Sequence, residues 1–380
     1  FDFTRASSAT VVNKAGLIET VGGGEPRIDF SNDSKGALLL EPQRMNLITY
    51  SEEFSNASVW GKVNTTFTDD ETTSPSGLLT GKLTRNVTTF SCIRDTTVST
   101  VLGTTYVFSA FYKKDTETTI NHGVLNQTTG YVTFNFDTET ISITRNDNSD
   151  TISTDGFGFE KYANGWYRVY LKFVRKAGSF QVQVARQDSG VIGQSTFIYG
   201  AQLEQGSYAT SYIPTQGSAV TRLADACNNG GNDQVINSTE GVFYVEIEGF
   251  ENDNVNKYIS LCDGSSSNAI RIFYYNDGGT VFFRKNVNNV GVITSSTVVI
   301  NQSELTKIAI RYNSTSFDIF SNGVKILTNS NSDTFSNNTL NTITFTDSNG
   351  FSSPFLGNVK DLKVYNTTLS DSELTALTKI

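Results

Sequence analysis

The chain has one histidine, one methionine, two tryptophans, three cysteines and five prolines in 380 residues. A single imidazole excludes a zinc site built mainly on histidine. It also leaves His122 as the residue any Ser-His-Asp or Cys-His mechanism would have to use. His122 stands in Ile120-Asn121-His122-Gly123, with no Gly-x-Ser-x-Gly nucleophile turn nearby, and reads as an exposed loop or strand-end histidine. Cys92, Cys227 and Cys262 have no metal-ligand spacing and are odd in number, so they read as small buried hydrophobes. A fold that does not depend on disulfides suits assembly in a reducing cytoplasm.

Charge is scarce too. Asp, Glu, Lys and Arg make up 18% of the chain, and the net charge is -9. That balance argues against nucleic acid as the main ligand. A neutral glycan stays open, whereas an acidic one would need a local basic patch. No apolar run approaches a membrane span, so no membrane insertion is expected. There is no signal-peptide pattern at the start, and no phosphate-binding or dinucleotide glycine motif: Gly22-Gly23-Gly24 precedes Glu25-Pro26 and reads as a turn. The chain opens at Phe1 inside a strand-like run, which suggests a piece of a longer or processed polypeptide.

What is present is β structure. Phe and Tyr number 26 and 16, and Gly 31. Val182 and Val184; Tyr199, Ala201 and Leu203; Ile308, Ile310 and Tyr312; and Phe317 and Ile319 alternate with period two. Asn164-Gly165, Asp277-Gly278, Asn322-Gly323 and Asn349-Gly350 punctuate the runs as tight turns. One helix is predicted over Ser370–Leu377, where Ser370 and Glu373 form a capping box. The pattern divides into a β leader over 1–50, packed on the first sandwich or on neighbouring subunits, one sandwich over 51–225 and a second over 235–380.

Three stretches carry a resemblance. They are Phe3-Thr4-Arg5-Ala6-Ser7 with Glu25-Pro26-Arg27; Leu40-Glu41-Pro42-Gln43-Arg44-Met45-Asn46-Leu47; and Gly200-Ala201-Gln202-Leu203-Glu204 through Tyr212-Ile213-Pro214-Thr215 to Thr221-Arg222-Leu223-Ala224-Asp225. Together they resemble the carbohydrate-binding-module-like region of bacteriophage fibre, spike and appendage proteins. The remainder is similar to a laminin-G or concanavalin A-like lectin domain. That similarity rests on Gly241-Val242-Phe243-Tyr244-Val245-Glu246, Phe317-Asp318-Ile319-Phe320-Ser321-Asn322-Gly323 and Phe355-Leu356-Gly357-Asn358-Val359-Lys360-Asp361-Leu362. The resemblances imply an all-β fold of two jelly-roll sandwiches. They also imply a virion component, assembled in the host cytoplasm as a homotrimer with other virion proteins, that binds bacterial surface polysaccharide.

A sugar-binding ledge needs an aromatic ring for the apolar face of a pyranose and polar groups for its hydroxyls. Candidates are Tyr274, Tyr275, Asn276 and Asp277 with the facing Arg284 and Asn286, and, in the first sandwich, Trp60 and Tyr112. Trp166 reads as core. The competing reading is a depolymerase. Laminarinase-like hydrolases, which share the concanavalin A-like fold, carry a Glu-x-Asp-x-x-Glu strand, and Glu246-Ile247-Glu248-Gly249-Phe250-Glu251 is similar to it. The resemblance would make Glu246 nucleophile, Glu248 helper and Glu251 acid/base, a retaining pair about 5 Å apart. Against it, the middle residue is Glu, the domain has no Trp, and the strand opens the sandwich, where solvated glutamates on an edge strand are the plainer reading. A purely structural virion role is the third possibility. No cofactor is expected, and Asp263, Asp277, Asp347 and Asp361 are the loop carboxylates open to calcium.

Overall fold

The computed structural model describes residues 1–31, 33–149, 151–250, 255–275, 280–299, 303–330, 333–348 and 352–380, with 149 and 292–299 described in backbone only. It is an all-β molecule of two sandwiches, with one α-helix among the described residues. In the first sandwich, one six-stranded sheet runs Thr140–Asn146, Thr128–Asn135, Thr119–Asn126, Phe180–Gln187, Ser91–Asp95, Trp60–Val63. The other runs Phe157–Tyr162, Trp166–Val174, Thr105–Lys114, Ser195–Gln205, Leu79–Arg85, Thr65–Thr73. Period-two alternation places Phe108, Leu171, Leu203, Phe134 and Val182 between the sheets. Trp166 is buried, as its sequence suggested, and its indole N–H donates to the Thr73 carbonyl at 3.0 Å.

The second sandwich has a seven-stranded and a five-stranded sheet. The larger runs Val324–Asn329, Phe317–Ser321, Thr306–Tyr312, Gly241–Gly249, Gly357–Tyr365, then Ala37–Leu40 and Ile28–Asp29. The last two strands come from the leader. Leu38, Leu39 and Leu40 lie opposite Val359, Asn358 and Gly357, so this stretch of the leader pairs with the far sandwich. Asp2–Thr4 also pairs outside the first sandwich, with Ala226–Asn228.

This pairing bears on the place of two strands and corrects the edge reading of the glutamates. Gly357–Tyr365 is an interior strand, because the leader covers its free side. Gly241–Gly249 sits at the centre of its sheet, so Glu246 and Glu248 do not decorate an edge.

The local signals hold at the turn and the helix. Asn322 and Gly323 have φ of 47° and 80°, the left-handed pair that a two-residue hairpin between antiparallel strands requires. The helix Asp371–Thr378 begins with both halves of the capping box formed by Ser370 and Glu373, and lays Leu374 on Val242, Tyr244, Ala309 and Phe320. Ser370→Ala should lower stability by about 1 kcal/mol, read as a shift in the urea midpoint.

His122 corrects a further expectation. It lies in the middle of Thr119–Asn126, fully buried and stacked on Phe108 with ring centroids 4.2 Å apart. Its Nε2–H donates to the Phe108 carbonyl at 3.0 Å, and its Nδ1 accepts from the Tyr112 hydroxyl at 2.7 Å. The polar neighbours Asn121 and Gly123 masked a core position. Burial holds the imidazole neutral and pulls its pKa down to about 3. A folded pKa below the unfolded one contributes stability above the ordinary value of 6.5, lost as pH falls through that value toward 3. The slope is at most about 1.4 kcal/mol per pH unit. His122→Gln removes this titration, so the difference between the two pH–stability curves should be confined to that window.

Cys92, Cys227 and Cys262 are buried free thiols, as read from the sequence, and burial pushes them up to about 12, 11 and 11.

Candidate functional site

Two sequence-selected ledges lie inside the core. Trp60 is 1% exposed, its ring 4.8 Å from that of Phe54 and its N–H donating to the Tyr50 carbonyl at 2.7 Å. Tyr112 is fully buried against His122. Neither ring can lie under a sugar. Tyr274 is corrected in the same way: it is 2% exposed and belongs to the core of the second sandwich. Asn276, Asp277 and Glu251 lie outside the described residues.

The residues carrying the phage-appendage resemblance converge on a buried knot of charge. Asp225 accepts from Arg5 at 2.9 Å, from Arg27, and from the backbone N–H of Glu41 at 2.8 Å. Glu41 takes Arg27 at 2.7 Å, Arg222 at 2.6 Å and the Ser211 N–H at 2.7 Å. Asn46 donates to the carbonyls of Ala201 and Ile213. These residues tie the leader, the first sandwich and the linker together, so their pattern reports how the chain is joined. A cleft of about 420 Å³ opens beside the knot, lined by Asp29, Glu41, Tyr162, Arg168, Ser211 and Phe250 among others. Most of its polar groups are already engaged. Asp29 accepts from the Val12 and Ser31 N–H groups, and Arg168 donates to the Thr210 carbonyl and Ser109 hydroxyl.

The outer face of the five-stranded sheet is different. That sheet runs Val290–Val299, Thr280–Val287, Ala269–Tyr274, Lys257–Cys262, Thr342–Thr344. Ile270, Ile272, Tyr274, Val281 and Phe283 face the core. The opposite parity therefore points outward. Tyr258, Phe273 and Phe282 stand directly opposite one another across three strands. Their rings are half-buried and stacked, with centroids 4.8 and 5.1 Å apart and planes 19° and 11° from parallel. Tyr275, 42% exposed, extends the row with its ring 5.3 Å from Phe282.

The next row outward-facing in register is Ser260, Arg271 and Arg284, and beyond it Cys262, Ala269 and Asn286. Arg284 is exposed and donates through Nε to the Asn286 Oδ1 at 3.1 Å. Asn286 donates to the Ser266 carbonyl at 2.9 Å. Of the sequence-selected residues, then, Tyr275, Arg284 and Asn286 come together on one face. Tyr258, Phe273, Phe282 and Arg271 were missed. Parity was the available signal: Phe273 shares a side with Arg271, which the core would reject, whereas Tyr274 shares one with Ile270 and Ile272.

The hydrolase residues have other partners. Glu246 pairs with Lys307 at 3.6 Å and accepts from the Tyr244 hydroxyl at 3.2 Å, and Glu248 lies 3.8 Å from Lys360. Of the calcium candidates, Asp263 caps Ser265 and Asn268, Asp347 holds Ser352, and Asp361 holds Lys363. Asp277 lies outside the described residues. Among the described residues, no three His, Cys, Asp or Glu side chains group as metal ligands.

With that geometry in place, residues 243–375 match the family described as the concanavalin A-like lectin/glucanases superfamily. The matched residues all belong to the second sandwich. A search of curated proteins found none that matches this chain. Solved structures similar to parts of it include the CBM40 of the Ruminococcus gnavus IT-sialidase, at 17% identity over 40% of this chain and 93% of that one, with a TM-score of 0.32. The native heptameric SAP-like pentraxin of Limulus polyphemus is 14% identical over 40% and 74%, with a TM-score of 0.33. Domains LG4-5 of the mouse laminin alpha1 chain are 9% identical over 70% and 83%, with a TM-score of 0.27. The aromatic row and the two arginines all lie within the matched segment.

Proposed function

We propose that this chain binds glycan, without cleaving it, on the outer face of the five-stranded sheet of its concanavalin A-like domain. The observation that carries the reading is the row Tyr258–Phe273–Phe282. Three half-buried rings stacked in register line up their outer edges as an apolar ridge beside polar side chains, a combination that can take the apolar and hydroxyl sides of a pyranose. The match to a lectin and glucanase superfamily supports a saccharide ligand. The lysine partners of Glu246 and Glu248 favour binding over hydrolysis.

The biological setting is a bacteriophage fibre or appendage that recognises a bacterial surface polysaccharide. It is supported by the ordered motifs of the first 225 residues. In a homotrimer, three weak sites would act together through avidity.

A glycan array probed with the full chain tests the binding. Light scattering on the same sample gives its oligomeric state. Incubation with bound polysaccharide, followed by assay for new reducing ends, separates a lectin from a depolymerase. Absence of binding across the array would remove the reading, and release of reducing ends would replace it with the hydrolase.

A further inference from the structure

A buried guanidinium in this protein almost always meets a carboxylate. Arg5 has Asp225, Arg27 has Glu41 and Asp225, Arg85 has Glu117, Arg168 has Glu160, Arg186 has Asp188, and Arg222 has Glu41. That is the expected pattern, because an unpaired buried charge is costly. Arg271 breaks it. It is 7% exposed, and among the described residues it has no ion-pair partner. Its Nε donates to the Ser348 hydroxyl at 3.0 Å, and its Nη2 donates to that hydroxyl and to the Ser266 carbonyl at 3.3 Å. The flanking loops hold carboxylates, but Asp263 is turned to Ser265 and Asn268, and Asp347 to Ser352.

The strand register makes the position worse. Arg271 lies directly opposite Arg284 on the neighbouring strand. Like charges facing each other across an antiparallel pair are destabilising. Burial first, and then Arg284, draw the Arg271 guanidinium below the ordinary arginine value. In a chain of net charge -9, two facing arginines with no ion-pair partner among the described residues, Asp347 acting on Arg271 only from a distance, are a local reversal of sign. They border the aromatic row: Phe273 is two residues from Arg271 and Phe282 two residues from Arg284, all on one face.

We infer that the glycan bound on this face is acidic, with the apolar side of the sugar ring against the outer edges of Phe273 and Phe282 and its carboxylate or sulfate set against Arg284, above Arg271. The inference rests on the glycan reading of the same face. A planar guanidinium is suited to this task, since it offers two parallel N–H donors to a carboxylate or sulfate edge. Arg271 is a positioning residue, held by Ser348 and Ser266, and its charge is offset when the anion arrives.

The test uses the full chain and three oligosaccharide probes of equal length: an oligogalacturonide, a sulfated dextran fragment and an uncharged dextran fragment. Affinities are measured by calorimetry at low and moderate salt. At least one acidic probe should bind more tightly than the neutral one, with affinity falling as salt rises. Whichever of the two binds separates carboxylate from sulfate as the source of charge. Arg284→Gln should weaken the acidic probe roughly tenfold, the loss expected for a charge-assisted contact, and leave the neutral probe unchanged. Arg284→Lys should recover part of the loss. Lys14→Gln, a matched loss of one positive charge on the exposed leader, should leave affinity unchanged and so exclude a general charge effect. If Arg284→Gln has no effect while Phe273→Ala abolishes binding, the ligand is a neutral glycan and the acidic assignment falls alone. If neither substitution changes binding, the face is not the site and both readings fall. Equal binding of all three probes, or none by either acidic probe, also overturns the acidic assignment.

Discussion

Asp225→Ala should lower the stability of the folded chain by about 3–5 kcal/mol, the range for removing one partner of a buried ion pair. Its carboxylate has no solvent exposure and receives Arg5 on one oxygen and, on the other, Arg27 and the Glu41 N–H. Alanine would leave two guanidiniums buried with less charge to meet. It would also strand a backbone donor that pins the start of the Glu41-Pro42 turn. Asp225→Asn keeps a carbonyl acceptor in the same place and should cost less. Urea and thermal midpoints give the size of the effect, and limited trypsin digestion at Lys35 shows whether the leader loosens first.

The same knot sets an acid limit. Burial alone would raise the Glu41 carboxyl, but Arg222, then Arg27 and the Ser211 hydrogen bonds, outweigh it and hold the group at about 2. A depressed carboxylate contributes stability above its ordinary value near 4.5, lost as pH falls from there toward 2. Wild type should therefore lose stability over that window more steeply than a Glu41→Gln variant.

Phe273→Ala should weaken glycan binding by roughly 10- to 100-fold, given the 1–3 kcal/mol that removal of one stacking ring costs on comparable platforms. Phe273 is the middle ring, so its loss both opens a gap and frees Tyr258 and Phe282 from the stack that orients them. Phe273→Tyr preserves the ring and should retain binding. Because the side chain is half-buried, a thermal midpoint on each variant separates lost binding from lost fold. Full affinity in a folded Phe273→Ala protein would show that sugar does not lie on this row.

How far the sequence led depends on how local each signal was. The Asn322-Gly323 turn and the Ser370–Glu373 cap are written in two to four adjacent residues, and both form as read. Alternation found the buried faces of Phe317 and Ile319. It faltered where both faces of a strand are aromatic or aliphatic, as in Ile270-Arg271-Ile272-Phe273-Tyr274. Choosing Tyr274 over Phe273 is a one-residue slip, and in a strand that moves a side chain from the surface to the core. Trp60 and His122 misled because their sequence neighbours are polar while their spatial neighbours, Phe54 and Phe108, are not. The pairing of Leu38–Leu40 with Gly357–Val359 had no local trace, since nothing near either segment names the other.

That last pairing sets an order of events during synthesis. Ala37–Leu40 emerges long before Gly357–Tyr365, one of the two strands it pairs with. The intervening chain must close a very long loop before the two meet, and contacts of such separation form slowly. Until then an apolar run, Ala37-Leu38-Leu39-Leu40, waits unsatisfied, the condition in which nascent chains aggregate or exchange segments with a neighbour. A fragment starting at residue 235 would inherit the mirror problem, an uncovered Gly357–Tyr365 ready to capture any loose strand. The seam can finish folding only when both of its sides have been made.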